Sequence, residues 1–512
     1  MPAIVRGMIM PAKKTTADKE NDTRLVETGI AGLDDILRGG LSPGGLYLIE
    51  GTSGTGKTTL GLQFALAGAA QGESVVYVTL SETQKDLESV ARSHGWKLDN
   101  VHVMQALAPQ AKAATMFYPS EVELEELMTR LKEEIQRIGP SRIVIDSLSE
   151  IRLMAEGPLR YRREMMGLKQ FLTSGRSTVL LLEESTAESS LRTFADGVIL
   201  LEQLAPEYGS ERRRLWIVKV RGRRYVGGFH DFMIRKGGLD VFPRLVAEHR
   251  EEHKPEVLPS GIASLDAMLG GGLTTGGSTL LVGPAGTGKS SIAMQFAVSA
   301  AERGGHAVVF TFDERPEIAI ARASGLHMNI QGHLDDGRFH VQQVDPAELS
   351  PGQFAYIIRQ EVESHNASVL VIDSLNGYMH AMPDQRFLLA QMHEMLTYLG
   401  QQGVATFIVM GQTGTVGETL SPANASYLTD NMLVFRFFES QGEIRKAISI
   451  VKKRSGPHET TIRELKFGPE GIVVGEALRQ FQGILTGEPI FTGATSQLMQ
   501  AKDGTGERQQ AG

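Results

Sequence analysis

A chain of 512 residues is too long for one ordinary core and fits two large domains with tails. It is 41% hydrophobic and 22% charged, as soluble globular proteins are, and it has no cysteine for a disulfide, a thiolate metal site or a thiol nucleophile. Its net charge of -8 argues against a protein that lives by gripping nucleic-acid phosphates.

Read in chain order, residues 1–23 form an expected flexible tail. Arg6, Gly7 and Pro11 interrupt its apolar residues, so it lacks a signal-peptide core. No later apolar run has the length of a bilayer span, and a soluble, cytoplasmic protein without membrane contact is expected. The first domain, 24–247, opens with the strand "LYLIE", the glycine-rich "GTSGTGKTT" at 51–59 and the helix "TTLGLQFALAGAAQ". A strand follows in "SVVYVTLSET". Val122, Leu124, Leu127, Leu131, Ile135 and Ile138 then share one face of a helix over 121–138. The apolar strand "SRIVIDSLSE" and the charged strand "WIVKVRG" complete this half.

A charged, proline-punctuated join near 248–261 leads to the second domain, 248–485, which writes the same signals again. "GPAGTGKSS" follows "STLLV" at an offset of 232 residues, "HAVVFTFDER" recurs at 232, "SVLVIDSLNG" at 227 and "SIVKKRS" at 233. Matching motifs in matching order mark a duplicated domain. Strand–helix alternation predicts an α/β fold, two tandem P-loop NTPase domains, each a mostly parallel sheet flanked by helices. Residues 486–512 are an expected flexible tail.

Both loops satisfy G-x-x-x-x-G-K-[ST] between a strand and a helix, the setting in which backbone N–H groups curl around phosphates. The first cradle is Gly51, Thr52, Ser53, Gly54, Thr55, Gly56, Lys57 and Thr58; the second is Gly283, Pro284, Ala285, Gly286, Thr287, Gly288, Lys289 and Ser290. Lys57 and Lys289 would reach the outer phosphates of ATP. Thr58 and Ser290 would ligate Mg²⁺, with Asp146 and Asp373 at strand tips holding its shell. The strand after each P-loop helix ends in acids, Glu82 (beside Ser81) and the pair Asp313–Glu314, placed to orient water or accept a hydroxyl proton. Lys219 with Arg221, and Lys452 with Arg454, fall on alternate strand positions and share a face.

Taken together, "GTSGTGKTT", "VTLSET", "VIDSLS" and "VKVRG", followed by "GPAGTGKSS", "TFDER", "VIDSLN" and "VKKRS", resemble the KaiC family of circadian clock proteins from residue 24 to about 485. The resemblance implies two tandem RecA-like domains in a homohexamer of two stacked rings with ATP at subunit interfaces, the first half an ATPase, the second an autokinase and autophosphatase. By position it makes Ser426, Tyr427 and Ser421 the acceptor hydroxyls in "SPANASYLTDNM", and Lys219, Arg221, Lys452, Arg454 and His458 contacts to a neighbour's nucleotide. The family's adjacent glutamates are Ser81–Glu82 in one copy and Asp313–Glu314 in the other, which leaves Glu82 as the only acid of the first pair. A KaiB-like partner fits the resemblance, whereas the weak kinship of the last residues argues against a KaiA-type one. Two other functions stay open: a nucleotide-sensing scaffold with little turnover, and an ATP-driven nucleic-acid motor of the RecA or DnaB type. The motor would use the basic runs Arg160, Arg162 and Arg163, Arg212–Arg214, and Arg221 with Arg223 and Arg224, which in a net acidic chain with no base-stacking aromatic pattern beside them read better as turns or ring contacts.

Overall fold

The computed structural model describes residues 24–106, 120–185, 190–205, 209–246, 254–380, 385–411, 425–485 and 490–491. The amino-terminal tail, the carboxy-terminal tail apart from 490–491, residues 248–253 of the join and Ser421 lie outside these residues. The chain divides into two compact units, Met1–Leu204 with Glu211–Pro243, and Ala205–Ser210 with Arg244–Gly512.

The first unit is built on a nine-stranded sheet. From edge to edge it runs His102–Gln105, Val75–Thr79, Arg142–Asp146, Thr178–Glu184, Leu46–Gly51, Gly197–Leu204, Arg212–Val220, Phe229–Arg235 and Gly238–Phe242. The first six strands pair in parallel and the remainder antiparallel. The parallel strands read as apolar runs because helices cover both faces: Val75–Thr79 and Arg142–Asp146 are buried at every position. On one side lies the helix Ser120–Ile138, whose Leu124, Leu127, Leu131 and Ile135 enter the core as the helical spacing predicts. On the other lies Lys57–Ala70, the helix that follows the glycine-rich loop.

The second unit repeats this order with Phe339–Gln343, His306–Thr311, Ala367–Asp373, Ala405–Gly411, Ser278–Gly283, Asn431–Ser440, Glu443–Lys453, Ile462–Gly468 and Gly471–Ala477. In each sheet the strand entering the loop is central, so the phosphate cradle opens at the carboxyl ends of the parallel strands.

Arg142, the first residue of a buried strand, departs from the apolar pattern. It is fully buried, yet its guanidinium bonds both oxygens of Glu73 (2.6 and 3.2 Å) and the carbonyls of Glu27 and Phe64, with the Phe64 ring 4.7 Å away. The equivalent residue of the second unit is Val369. Arg142→Ala strands a carboxylate and two carbonyls, and should cost the first unit about 3 kcal/mol. The check is a lower urea midpoint for that unit's unfolding, with the second unit's transition unmoved.

Candidate functional site

Each loop ends on a glycine that its conformation requires. Gly56 (φ 98°) and Gly288 (φ 101°) are left-handed, and a Cβ would lie 2.7 Å from Ile234 Cδ1 in one and 1.9 Å from the Phe467 ring in the other. Each is the N-cap of a 14-residue helix and, being glycine, offers no side chain to cap its first N–H groups. Those donors and the helix dipole suit an anion.

In the first unit Lys57 Nζ donates to the carbonyls of Gly51 (2.8 Å) and Thr52 (2.9 Å), folded into the cradle it would yield to a phosphate. Thr58 Oγ1 donates to Asp146 Oδ2 at 2.7 Å, so the two groups expected at the magnesium already touch. Asp146 is buried, and burial pushes its carboxyl up against the opposing pull of Tyr77, Thr58 and Lys57. Strand register sets Thr79 beside Asp146, and Glu82 follows three residues on. Thr79 Oγ1 accepts the Glu82 N–H (3.1 Å) and donates to the Glu82 carbonyl (2.7 Å); a Thr83–Asp86 capping box starts the next helix. Glu82 Oε2 is buried and accepts no hydrogen bond from a described residue, while Ser81 is exposed.

The second unit keeps the plan and changes the acids' partners. Lys289 Nζ donates to Pro284 O at 2.7 Å, and burial brings its ammonium down to about 8. Ser290 hydrogen-bonds Asp373, whose carboxyl burial also raises. Register again sets Thr311 beside Asp373. Asp313 accepts from Ser374 Oγ at 2.7 Å, and Glu314 is held by both oxygens on Arg322 Nη1 (2.5 and 2.7 Å). These cradles fit a magnesium-bound triphosphate: an ammonium bonded to its own loop, uncapped helix N–H groups, and a hydroxyl–carboxylate pair in each.

The residues expected to act on a neighbour stand at the other end of each sheet. Arg221 N–H donates to Asp196 O, and Asp196 N–H to Leu46 O, the first residue of the strand that runs to Gly51. Arg454, Asp430 and Ser278 repeat this ladder in the second unit. Five residues of strand, about 17 Å, therefore separate each arginine from the loop of its own unit. Lys452 Nζ donates to Ser426 O (2.8 Å), and Arg454 bonds Asp430 Oδ1 (3.2 Å) and Tyr427 O (3.4 Å). The acceptor stretch is thus gathered with Lys452 and Arg454, far from Lys289. Tyr427 is 76% exposed, Ser426 is half-buried and His458 is half-buried.

Residues 26–246 and 258–479 match the family model for the KaiC ATPase. The chain belongs to the KaiC family. The KaiC relatives include "Circadian clock protein KaiC3" of Synechocystis, 26% identical over 93% of this chain and 96% of the relative. They also include "Circadian clock oscillator protein KaiC" of Acaryochloris marina (27%; 92% and 93%) and of Synechococcus elongatus (26%; 91% and 91%). KaiC membership brings with it two ATPase domains on RecA-like sheets and the use of ATP.

Two KaiC site neighbours escape the sequence reading. Tyr77 is fully buried and donates to Asp146 Oδ2 at 2.7 Å; the signal was a lone hydroxyl inside "VVYVT", where the second copy has Val309. Arg322 lies one helix beyond Glu314 and has Val90 as its counterpart, so no repeated motif marks it. The basic runs are partly committed within the fold: Arg213 pairs with Glu211 (2.6 Å), Arg214 with Glu202 (2.7 Å), and Arg223 caps the carbonyls of Gly40 and Arg38. Among the described residues no helix is long and apolar enough to cross a membrane.

Proposed function

We propose that the protein is an ATP-hydrolysing serine autokinase that works as a two-ring homohexamer, each nucleotide lying between copies. The observation that carries this reading is the 17 Å or so between each arginine and its own loop. A basic pair that cannot serve its own nucleotide can serve a neighbour's, and a ring lets every copy do so. Ser426 shares that end of the sheet with Lys452, so it would take phosphate from the next copy.

Bound Mg-ATP would supply the transferable phosphoryl group and the metal's counter-charge, held by Lys289, Ser290 and Asp373. Glu314 accepts the Ser426 proton as the new serine oxygen–phosphorus bond forms and the bond to the β-phosphate oxygen breaks; Asp313 positions the attack. In the first unit Glu82 alone orients a water, which is the simpler hydrolytic task. Lys219, Arg221, Lys452, Arg454 and His458 offset charge on the neighbour's phosphates. Nucleotide and phosphate state then bias contacts with a KaiB-like partner on the first ring, as differential contacts must for two sites to be coupled. The clock names of the relatives support a timing or signalling output.

The test is intact mass after incubation with Mg-ATP: one added phosphate per chain, absent in Ser426→Ala. Retention of that phosphate in Ser426→Ala moves the acceptor to Tyr427 or Ser421.

Hydrolysis by the first unit should also carry a distinctive acid limb. Burial raises the Glu82 carboxyl, and the Asp146 and Asp86 charges add to the shift. A base must be ionised to act, so turnover should fall on acidification at a pH above the ordinary glutamate value of about 4.3. The pH profile of a Lys289→Ala chain, in which only the first unit turns over, reads this directly; Glu82→Gln should remove both the limb and the activity.

A further inference from the structure

At the amino-terminal ends of the second unit's strands, away from its nucleotide cradle, three imidazoles surround one carboxylate. His306 opens the strand His306–Thr311, His340 lies in the neighbouring strand Phe339–Gln343, and Glu361 and His365 sit one turn apart at the end of the helix Pro351–His365. Glu361 is buried at 8% exposure. Its Oε2 lies 3.0 Å from His365 Nδ1 and 3.6 Å from His306 Nε2, and its Oε1 lies 3.3 Å from His340 Nδ1. The ligand atoms of His306, Glu361 and His365 all fall within 4.8 Å of one another.

We propose that His306, Glu361 and His365 bind a divalent transition-metal ion, zinc by preference, with a water completing the shell. Two imidazole nitrogens and a carboxylate oxygen form a donor set that suits zinc and its neighbours rather than magnesium or calcium. In a tetrahedron with bonds of about 2.0–2.1 Å, ligand atoms lie roughly 3.3 Å apart, which the 3.0 and 3.6 Å separations bracket. His306 Nε2 is buried without a hydrogen-bond partner among the described residues, and 3.6 Å is too long for a bond to Glu361. The Gly337 backbone also offers a hydrogen bond to the same ring. An ion between the ring nitrogen and the carboxylate oxygen would serve both. His340 holds the second oxygen of Glu361 and orients it. His365 is 56% exposed, so the site is open to solvent on that side.

The duplicated unit supplies an internal comparison. There the matching carboxylate, Glu134, is met by His102 at 3.0 Å and by Arg137 through bonds of 2.9 and 2.5 Å. The second copy has Ser364 in place of Arg137, and gains His306 where the first has Ser74 and His365 where it has Ile138. The first copy neutralises its half-exposed acid with a permanent cation; the second, whose acid is buried, has two more metal-binding rings in that cation's stead. A bound ion would tie the end of the helix to the sheet edge and stabilise the second unit by mass action.

The test uses the full chain, stripped with chelator and kept free of nucleotide, titrated with zinc against a chromophoric chelator. One zinc should bind per chain and raise the melting temperature. His365→Ala and Glu361→Gln should each weaken zinc at least tenfold, His340→Ala about tenfold, and the remote His94→Ala not at all. The visible bands of the cobalt form should vanish in His365→Ala, whose metal-free melting temperature should match the parent's. A parent chain that takes up no stoichiometric zinc or cobalt would overturn the proposal. So would a His365→Ala or Glu361→Gln chain that binds zinc as tightly as the parent.

Discussion

Lys289→Ala is expected to empty the second unit of nucleotide and to abolish phosphate transfer while leaving the chain folded. Lys289 is 6% exposed and, among the described residues, donates to its own loop at Pro284 O, so its ammonium is stored inside the cradle rather than spent on packing. Its removal deletes a charge-assisted bond in a site largely closed to water, worth about 3 kcal/mol or roughly a hundredfold in affinity. Alanine is a good first-turn residue, so the helix to Glu302 should survive. The parent site should show the same chemistry through pH. Phosphate favours the charged ammonium, and burial brings the free ammonium down to about 8. Affinity should therefore hold steady below that pH and fall up to ~10-fold per unit above it, because binding must then take up a proton. Equilibrium binding of a fluorescent ATP analogue to Lys57→Ala, which leaves only the second site, measures both effects. An affinity flat from pH 7 to 10 would remove the role given to Lys289.

Arg454→Ala should cut phosphate incorporation by about 10³-fold, the lower range for an arginine supplied across an interface. Lys452→Ala should follow in the same direction. Both act at the far end of the strand from Lys289, so the loss should appear with nucleotide affinity of an isolated chain unchanged. Arg454 also bonds Asp430 and the Tyr427 carbonyl, and Arg454→Lys separates the roles. A lysine can keep the pair to Asp430, but it lacks the planar fork that braces a phosphoryl group. Loss in Arg454→Lys nearly as deep as in Arg454→Ala marks the transfer role. Full activity in Arg454→Lys would reduce the arginine to a brace for its own loop.

Much of this arrangement was legible in the residues themselves. The two cradles, the strand-end acids and the parallel sheets follow from spacings that repeat at fixed offsets, because each encodes a local element: strand, turn, helix. What stayed hidden is tertiary. Arg322 reaches Glu314 across a loop, and Tyr77 reaches Asp146 across 69 residues. Neither pair has a counterpart in the other copy, so the repeat that exposed the loops could not expose them. Arg142 shows the same limit, since a charged residue in an all-buried strand is explained only by Glu73, Phe64 and Glu27 closing around it. The histidines about Glu361 come from two strands and a helix, and no spacing along the chain brings them together.

The central claim is that one copy's nucleotide writes on its neighbour. Mixing a Lys289→Ala chain, which keeps its acceptor but loses its nucleotide, with a Ser426→Ala chain, which keeps its nucleotide but loses its acceptor, tests it most directly. With the two chains distinguished by mass and co-assembly verified by a tag on one of them, phosphate should appear on the Lys289→Ala chain only in the mixture. A Lys289→Ala chain that stays unmodified inside verified mixed assemblies, while the parent phosphorylates itself, would contradict it.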